Sequence, residues 1–287
     1  MKEKLVIIGG IIIICLFLLY ALQPSENSHE KQKNLTLISK NIEDIKYSST
    51  FYGFSPTSNP SFSIGEKYIY KIWTNPKIDV FIAGPNTTIT PIPSESKIEM
   101  GIDGIERINK ENYFHCVVSG EDIKLTSLVC KKGTCRNNYF HLHVNGSLFY
   151  IHTKNSTIIH PISNRSNCRL CYYFYSPWML YLQNNIKWNE KIQSVYKGIE
   201  ANVIYEYTVE GIEKVNERKC FKIIGVGKSP TIKSTGKGEN EKTAMSFTVV
   251  KNIFWVDVEK RILVKMEEYE DNIIVNKIEL QQIVNYV

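Results

Sequence analysis

The 287-residue chain lacks a second long apolar run. Only the stretch from Leu5 to Leu22 stays both apolar and uncharged over such a length, which excludes a polytopic membrane protein. Charge of one sign is also missing. Against 35 Lys+Arg stand 29 Asp+Glu, a net +6. Lys and Glu interleave, so no basic stripe forms and no nucleic-acid partner is expected. Catalytic fingerprints are absent: there is no G-x-S-x-G, no H-E-x-x-H and no G-x-G-x-x-G. Gly227-Lys228-Ser229 ends like a phosphate loop, but Lys222 stands where that loop needs its first glycine. With 43% apolar and 22% charged residues the chain is not a long disordered one, and it can build one or two real cores. The expectation is a protein that is not an enzyme, with no catalytic residue, no resident metal and no cofactor.

What is present begins with the N-terminus. Lys2 and Lys4 precede the run at residues 5–22. As a helix this run spans roughly 27 Å, close to a hydrocarbon core of about 30 Å. It exceeds the apolar part of a usual cleaved signal, and Tyr20, Ala21 and Leu22 make a poor cleavage tripeptide. A lipoprotein reading of Cys15 fails on Ile14, which stands where a small residue is needed. The reading is an uncleaved signal anchor, residues 1–23, with the lysines inside and the bulk of the chain outside a single-pass cell-membrane protein. The membrane is thus one partner. Residues 24–50 read as a spacer. Asn34, Asn86, Asn145, Asn155 and Asn164 head N-x-[ST] triplets, which an Asn-rich chain also produces by chance.

Self-comparison finds four pairs of segments in the same order. Residues 51–56 match 172–177, and 64–67 match 188–191. Residues 104–109 match 211–216, and without a gap Phe114 then faces Phe221. Residues 147–152 match 252–257. The chain reads as two copies of one module of roughly 110 residues, 51–167 and 168–287, a usual domain size. The module reads as β, because its segments are short, rich in β-branched and aromatic residues, and bounded by Gly, Asn or Pro. Asn145-Gly146 predicts a hairpin over residues 139–152 with Phe140, Leu142, Val144, Phe149 and Ile151 on the core face. The same pattern in copy two puts Met245, Phe247, Val249, Phe254 and Val256 inward. Ser176 and Pro177 predict one or two helical turns. A second hairpin is expected near Asp271 and Asn272, with Glu267, Glu268 and Glu270 on its solvated face.

The segments at residues 188–191, 211–224 and 253–268 carry a resemblance. Their order resembles exported prokaryotic β-meander domains, loosely similar to the lipoprotein-carrier (LolA-like) half-barrel. The resemblance covers copy two well and copy one less well, because copy one holds a longer insert at residues 75–96. It implies a mainly β fold, two tandem copies of an antiparallel β-meander or half-barrel with little helix, and an extracytoplasmic compartment. An apolar ligand as partner is implied by analogy only.

Cysteine carries the sharpest chemistry. Outside Cys15 there are six: Cys116, Cys130, Cys135, Cys168, Cys171 and Cys220. An even count in an exported chain favours disulfides, within or between the pairs Cys130/Cys135 and Cys168/Cys171. The alternative is a four-thiolate zinc site built from the same four residues. Cys116 and Cys220 read as buried free thiols. His141, His143 and His152 share a face of the predicted hairpin and could hold a metal there, but copy two carries Ser246, Thr248 and Asp257 instead. The aromatic segment of Tyr172, Phe174, Tyr175, Trp178 and Tyr181, whose pattern residues 51–54 repeat, reads as one of two structural plugs, one under each sheet, with a ligand surface as the alternative. Three function classes follow: a non-catalytic binding or structural protein of the cell envelope with another envelope protein as partner, an exported carrier or sensor of an apolar ligand, and an envelope thiol or zinc protein.

Overall fold

The structure is a computed structural model that describes residues 55–75, 87–131, 133–142, 147–155, 158–159, 174–196, 199–235 and 242–285. The anchor at residues 5–22, the spacer, the segment 51–54, Cys15, Cys168, Cys171, Tyr172 and His143 lie outside these residues. Among the described residues no helix is long and apolar enough to cross a membrane.

Alternation of apolar and polar residues builds strands throughout, as the composition predicts. In chain order they are β1 (Glu66–Thr74), β2 (Thr87–Ile92), β3 (Ser94–Ile108), β4 (Glu111–Gly120), β5 (Ile123–Lys131), β6 (Thr134–Leu142), β7 (Ser147–His152), β8 (Ile158–Ile159), β9 (Lys187–Tyr196), β10 (Ile199–Val215), β11 (Arg218–Thr235), β12 (Lys242–Asp257), β13 (Leu263–Glu270) and β14 (Ile273–Asn285). Eleven form one antiparallel sheet in the order β8-β7-β4-β3-β1-β14-β13-β12-β11-β10-β9. The strands β2-β5-β6 form a separate small sheet. On β1 the alternation is plain: Tyr68, Tyr70 and Ile72 are buried while Lys71 is exposed. The core face continues through Ile98, Met100, Cys116, Phe149, Ile223, Phe254, Met266 and Ile278.

The two halves of the sheet share local geometry at the positions that match in sequence. The β3–β4 turn uses Asn109 and Lys110 at φ 49° and 71°, and the β10–β11 turn uses Asn216 and Glu217 at φ 47° and 65°. This left-handed pair is what a two-residue hairpin needs to follow the strand twist. The β3–β4 register shifts at Ile102/Gly104 and the β10–β11 register at Val209/Gly211. Cys116 faces Phe149 across β4–β7, and Ile223 faces Phe254 across β11–β12. Thr153 N–H donates to Asn112 O, and Val258 N–H to Lys219 O. Phe114, Phe221, Phe149 and Phe254 are all buried.

Several sequence expectations are corrected. The hairpin over residues 139–152 does not form. β6 pairs with β5 across a tight turn, while β7 pairs with β4 and β8 in the large sheet. β5 is the nearer partner for β6, and Phe149 is needed opposite Cys116 to close the core face. In the second half β12 runs unbroken where a hairpin was expected. A continuous strand has strict period two, so Phe254 and Val256 point inward while Phe247 and Val249 fall on the outer face, 60% and 45% exposed. The segments at 64–67 and 188–191 are also not in matching register. Lys67 faces Gly101 and Lys187 faces Thr208, so Tyr68 corresponds to Trp188.

Candidate functional site

The β13–β14 hairpin turns at Asp271 and Asn272, both with positive φ, as expected. Its carboxylates do not all face solvent. Glu268 and Glu270 take inward positions of the alternation and are buried. Glu268 accepts a 2.5 Å hydrogen bond from Asn276 Nδ2, and its burial pushes its carboxyl above the ordinary range. Glu267 takes the outer position beside Lys265 and Tyr269.

The core face of the large sheet is filled by the aromatic segment. Ser176 precedes the 3-10 turn Pro177–Tyr181, with proline in the first helical position. There its fixed φ suits the turn and its missing N–H costs nothing. Met179 N–H donates to Ser176 O at 2.9 Å, closing the turn. Phe174 packs on Tyr70 with ring centroids 4.5 Å apart, and Tyr175 on Phe62 at 5.5 Å. Trp178 contacts Trp188 at 5.4 Å and Phe254 at 5.6 Å, and Trp188 stacks on Tyr207 at 5.0 Å. Met179, Leu180 and Leu182 are fully buried. The described part of the segment thus lies on the core face and touches both halves of the large sheet, Tyr70 in the first and Trp188 in the second, while residues 51–54, expected to plug the other copy, lie outside the described residues.

A buried guanidinium ties the plug to the sheet. Arg261, at φ 56° after β12, donates through Nη1 to Leu182 O at 2.9 Å and through Nη2 to Thr57 Oγ1 at 3.2 Å. Its Cζ lies 4.8 Å from the centroid of the Phe221 ring. Thr57 N–H in turn donates to Leu180 O at 2.8 Å. Nearby, Lys260 pairs with Glu66, which also accepts from Tyr68 Oη at 2.6 Å and Ser63 N–H at 3.0 Å. Burial alone would raise the Glu66 carboxyl, but these donors outweigh it and hold it below the ordinary value. Neither Arg261 nor Glu66 stands out in the sequence, because the hydrogen-bond partners of Arg261 and the Lys260 partner of Glu66 lie some 80 to 200 residues away.

Glu190 occupies an inward position on the sheet-edge strand β9, opposite Tyr205. The residue keeps some exposed surface, but its carboxyl is withdrawn beside the Tyr207 hydroxyl. Burial pushes it up to about 7, and the hydrogen bond from Tyr207 only partly offsets this.

Among the described residues, those proposed for thiol or metal chemistry do not assemble. Cys130 and Cys135 form a disulfide directly across the β5–β6 turn, with Cα atoms 4.0 Å apart. Sulfurs bonded to each other are not thiolate ligands. Cys116 and Cys220 are buried free thiols, pushed upward by burial, Cys220 to about 12. His141 lies on β6 and His152 on β7, in different sheets. His152 is engaged at both nitrogens: Nδ1 accepts from the N–H groups of Lys154 and Asn155 at 3.1 Å, and Nε2 lies 3.2 Å from Glu111. Asp257 takes the same position in the other half, accepting from the N–H groups of Glu259 and Lys260 at 2.8 Å and pairing with Arg218 at 2.9 Å. His152 is thus a turn cap. Among the described residues no group of three His, Cys, Asp or Glu is placed to hold a metal.

No protein-family profile matches the chain, and no curated protein matches it. Similar solved structures include a Bacteroides fragilis protein assigned as exported, with a YmcC-like fold, at 10% identity and TM-score 0.36, covering 80% of this chain and 100% of that one. A Parabacteroides distasonis protein assigned as a lipoprotein has 10% identity and TM-score 0.33, with the same coverage. The hypothetical lipoprotein YmcC from Escherichia coli has 11% identity and TM-score 0.28, covering 92% of this chain and 100% of that one. At these TM-scores the likeness carries no argument about this chain.

Proposed function

We propose that the chain is a membrane-anchored extracytoplasmic β protein with a non-catalytic binding or structural role in the cell envelope. The anchor is the run at residues 5–22, and the two halves of the large sheet are tandem copies of one β-meander. The shared turns, bulges and cross-strand partners support the duplication, as do the His152 and Asp257 caps. The carrying observation for the role is the filled core face. In a half-barrel carrier that face would receive the apolar ligand, but here Phe174, Tyr175, Trp178, Met179, Leu180 and Leu182 occupy it. Contact with a partner then falls to the outer face of the sheet. The Cys130–Cys135 bridge supports an oxidising compartment.

The topology has a direct test. The full chain should stay with membranes through an alkaline carbonate wash, and protease added outside intact cells should cut it to a fragment holding residues 5–22. A soluble product beginning near Gln23 would refute the anchor and keep the export.

A further inference from the structure

The ribbon formed by β11 and β12 extends beyond its neighbours. β11 pairs with β10 only as far as Tyr205 opposite Gly227, and β12 pairs with β13 only from Val250 opposite Glu270. β11 and β12 continue together to Thr235 opposite Lys242. In the first half the chain leaves the large sheet at Gly120, the position that matches Gly227, and forms β5 and β6 instead. Those strands gain β2 as a third member and a disulfide at their turn. Among the described residues the ribbon has no third strand.

The outer face at its base is apolar and uncovered. Ile204, Val226, Val249 and Phe247 are 55%, 42%, 45% and 60% exposed. They lie on three adjacent strands, so they form one patch rather than scattered residues. Two lysines sit inside it: exposed Lys228 faces Val249, and half-buried Lys251 faces Val226. Glu206 is the acid across from Val226. Over residues 228–251 the sequence carries Lys228, Lys233, Lys237, Lys242 and Lys251 against Glu239 and Glu241. A two-stranded ribbon is marginal in water, and an apolar face makes it more so.

We propose that this patch docks on the anionic surface of the bilayer that holds the anchor, with Phe247 and Val249 entering the headgroup region and Lys228 and Lys251 meeting lipid phosphates. This rests on the anchored reading above. Charge decides the occupant. In a two-fold contact between copies, Lys228 and Lys251 would approach their own counterparts, whereas an anionic surface complements each lysine.

The test places a photoreactive group at the patch. The full chain carrying Phe247→p-benzoylphenylalanine is mixed with phosphatidylglycerol/phosphatidylethanolamine vesicles and irradiated. A phospholipid adduct is expected at Phe247, and much less at Ile105→p-benzoylphenylalanine, an exposed apolar position on the opposite face in the first half, across from Phe114. Lys228→Gln with Lys251→Gln should cut the Phe247 adduct roughly tenfold or more, since each lysine near such a surface is worth about a factor of five. Neutral phosphatidylcholine vesicles should do the same. A covalent dimer in place of the lipid adduct, or equal yields at Phe247 and Ile105, or no dependence on lipid charge, overturns the proposal. The carbonate wash separates the two readings. Retention of the chain without a Phe247 adduct refutes the patch and keeps the anchor. Release of the chain, with an adduct still formed on added vesicles, refutes the anchor and keeps the patch.

Discussion

Gly225 lies under the ring of Tyr207, and Gly227 under the ring of Tyr205, each pair directly opposite across β10–β11. A Cβ at Gly225 would overlap Tyr207, and one at Gly227 would sit 2.6 Å from Tyr205. The Tyr207 ring has no room to retreat, because it is already stacked on Trp188 at 5.0 Å. Gly225→Ala should therefore destabilise by about 2–3 kcal/mol, read as a lower denaturant midpoint at unchanged slope. Glu190 gives the pH dependence. Its carboxyl titrates near 7 in the folded chain and at about 4.3 when unfolded. Below both values the group is protonated in either state and costs nothing. As pH rises through this window the unfolded chain ionises first, so stability falls until about pH 7 and then stays lower by about 3 kcal/mol. Glu190→Gln keeps an acceptor for Tyr207 and should flatten that loss. Equal pH profiles for the two proteins between pH 4 and 8 would show that the carboxyl is not withdrawn from water.

The β5–β6 hairpin tests how much an element depends on its staple. Cys130 and Cys135 enclose only a short loop, so the bridge restricts the unfolded chain little, by about 2 kcal/mol in the loop-entropy account. The double variant Cys130→Ser, Cys135→Ser should still fold. Its loss should appear as faster amide exchange in β2, β5 and β6, with the large sheet unchanged, because among the described residues no strand of the small sheet pairs with a strand of the large one. Faster exchange throughout the large sheet would show that the small sheet supports it. The aromatic plug is the contrasting element. Among the described residues it has no covalent cross-link, yet Arg261, Thr57 and the rings of Trp188 and Phe254 hold it, and its own side chains are almost entirely buried.

At the scale of the whole molecule the seam is β1 against β14. β1 lies between β3 and β14, so a strand from the first half pairs with the last strand of the second. Tyr70 Oη adds a 2.9 Å bond to Leu263 O, and Lys260 reaches Glu66. Arg261 binds both the plug and Thr57. With this many ties, neither half can lose its fold and leave the other an intact core. Denaturant unfolding should show one transition, with tryptophan fluorescence and far-ultraviolet dichroism coincident. Two separated transitions would mean that the halves are independent domains sharing an edge.

Period-two alternation made the β class legible in the sequence, and positions such as Phe149, Ile151, Phe254 and Val256 could be placed in the core from it. Asp271-Asn272 marked its turn by residue type, Pro177 marked the 3-10 turn, and Cys116 and Cys220 were readable as buried thiols. Alternation fixes faces only within one strand, however. Whether residues 139–152 fold back on themselves depended on which partner lay nearer, and β5 won β6. Because β12 runs straight, Phe247 and Val249 took the outer face that Phe254 avoids, and the uncovered patch came into being. The partners of Arg261, Glu66 and Glu190 were likewise set by tertiary structure. A salt bridge or a withdrawn carboxyl depends on which side chains close around it, and the pairing of the strands and the docking of the plug decide that.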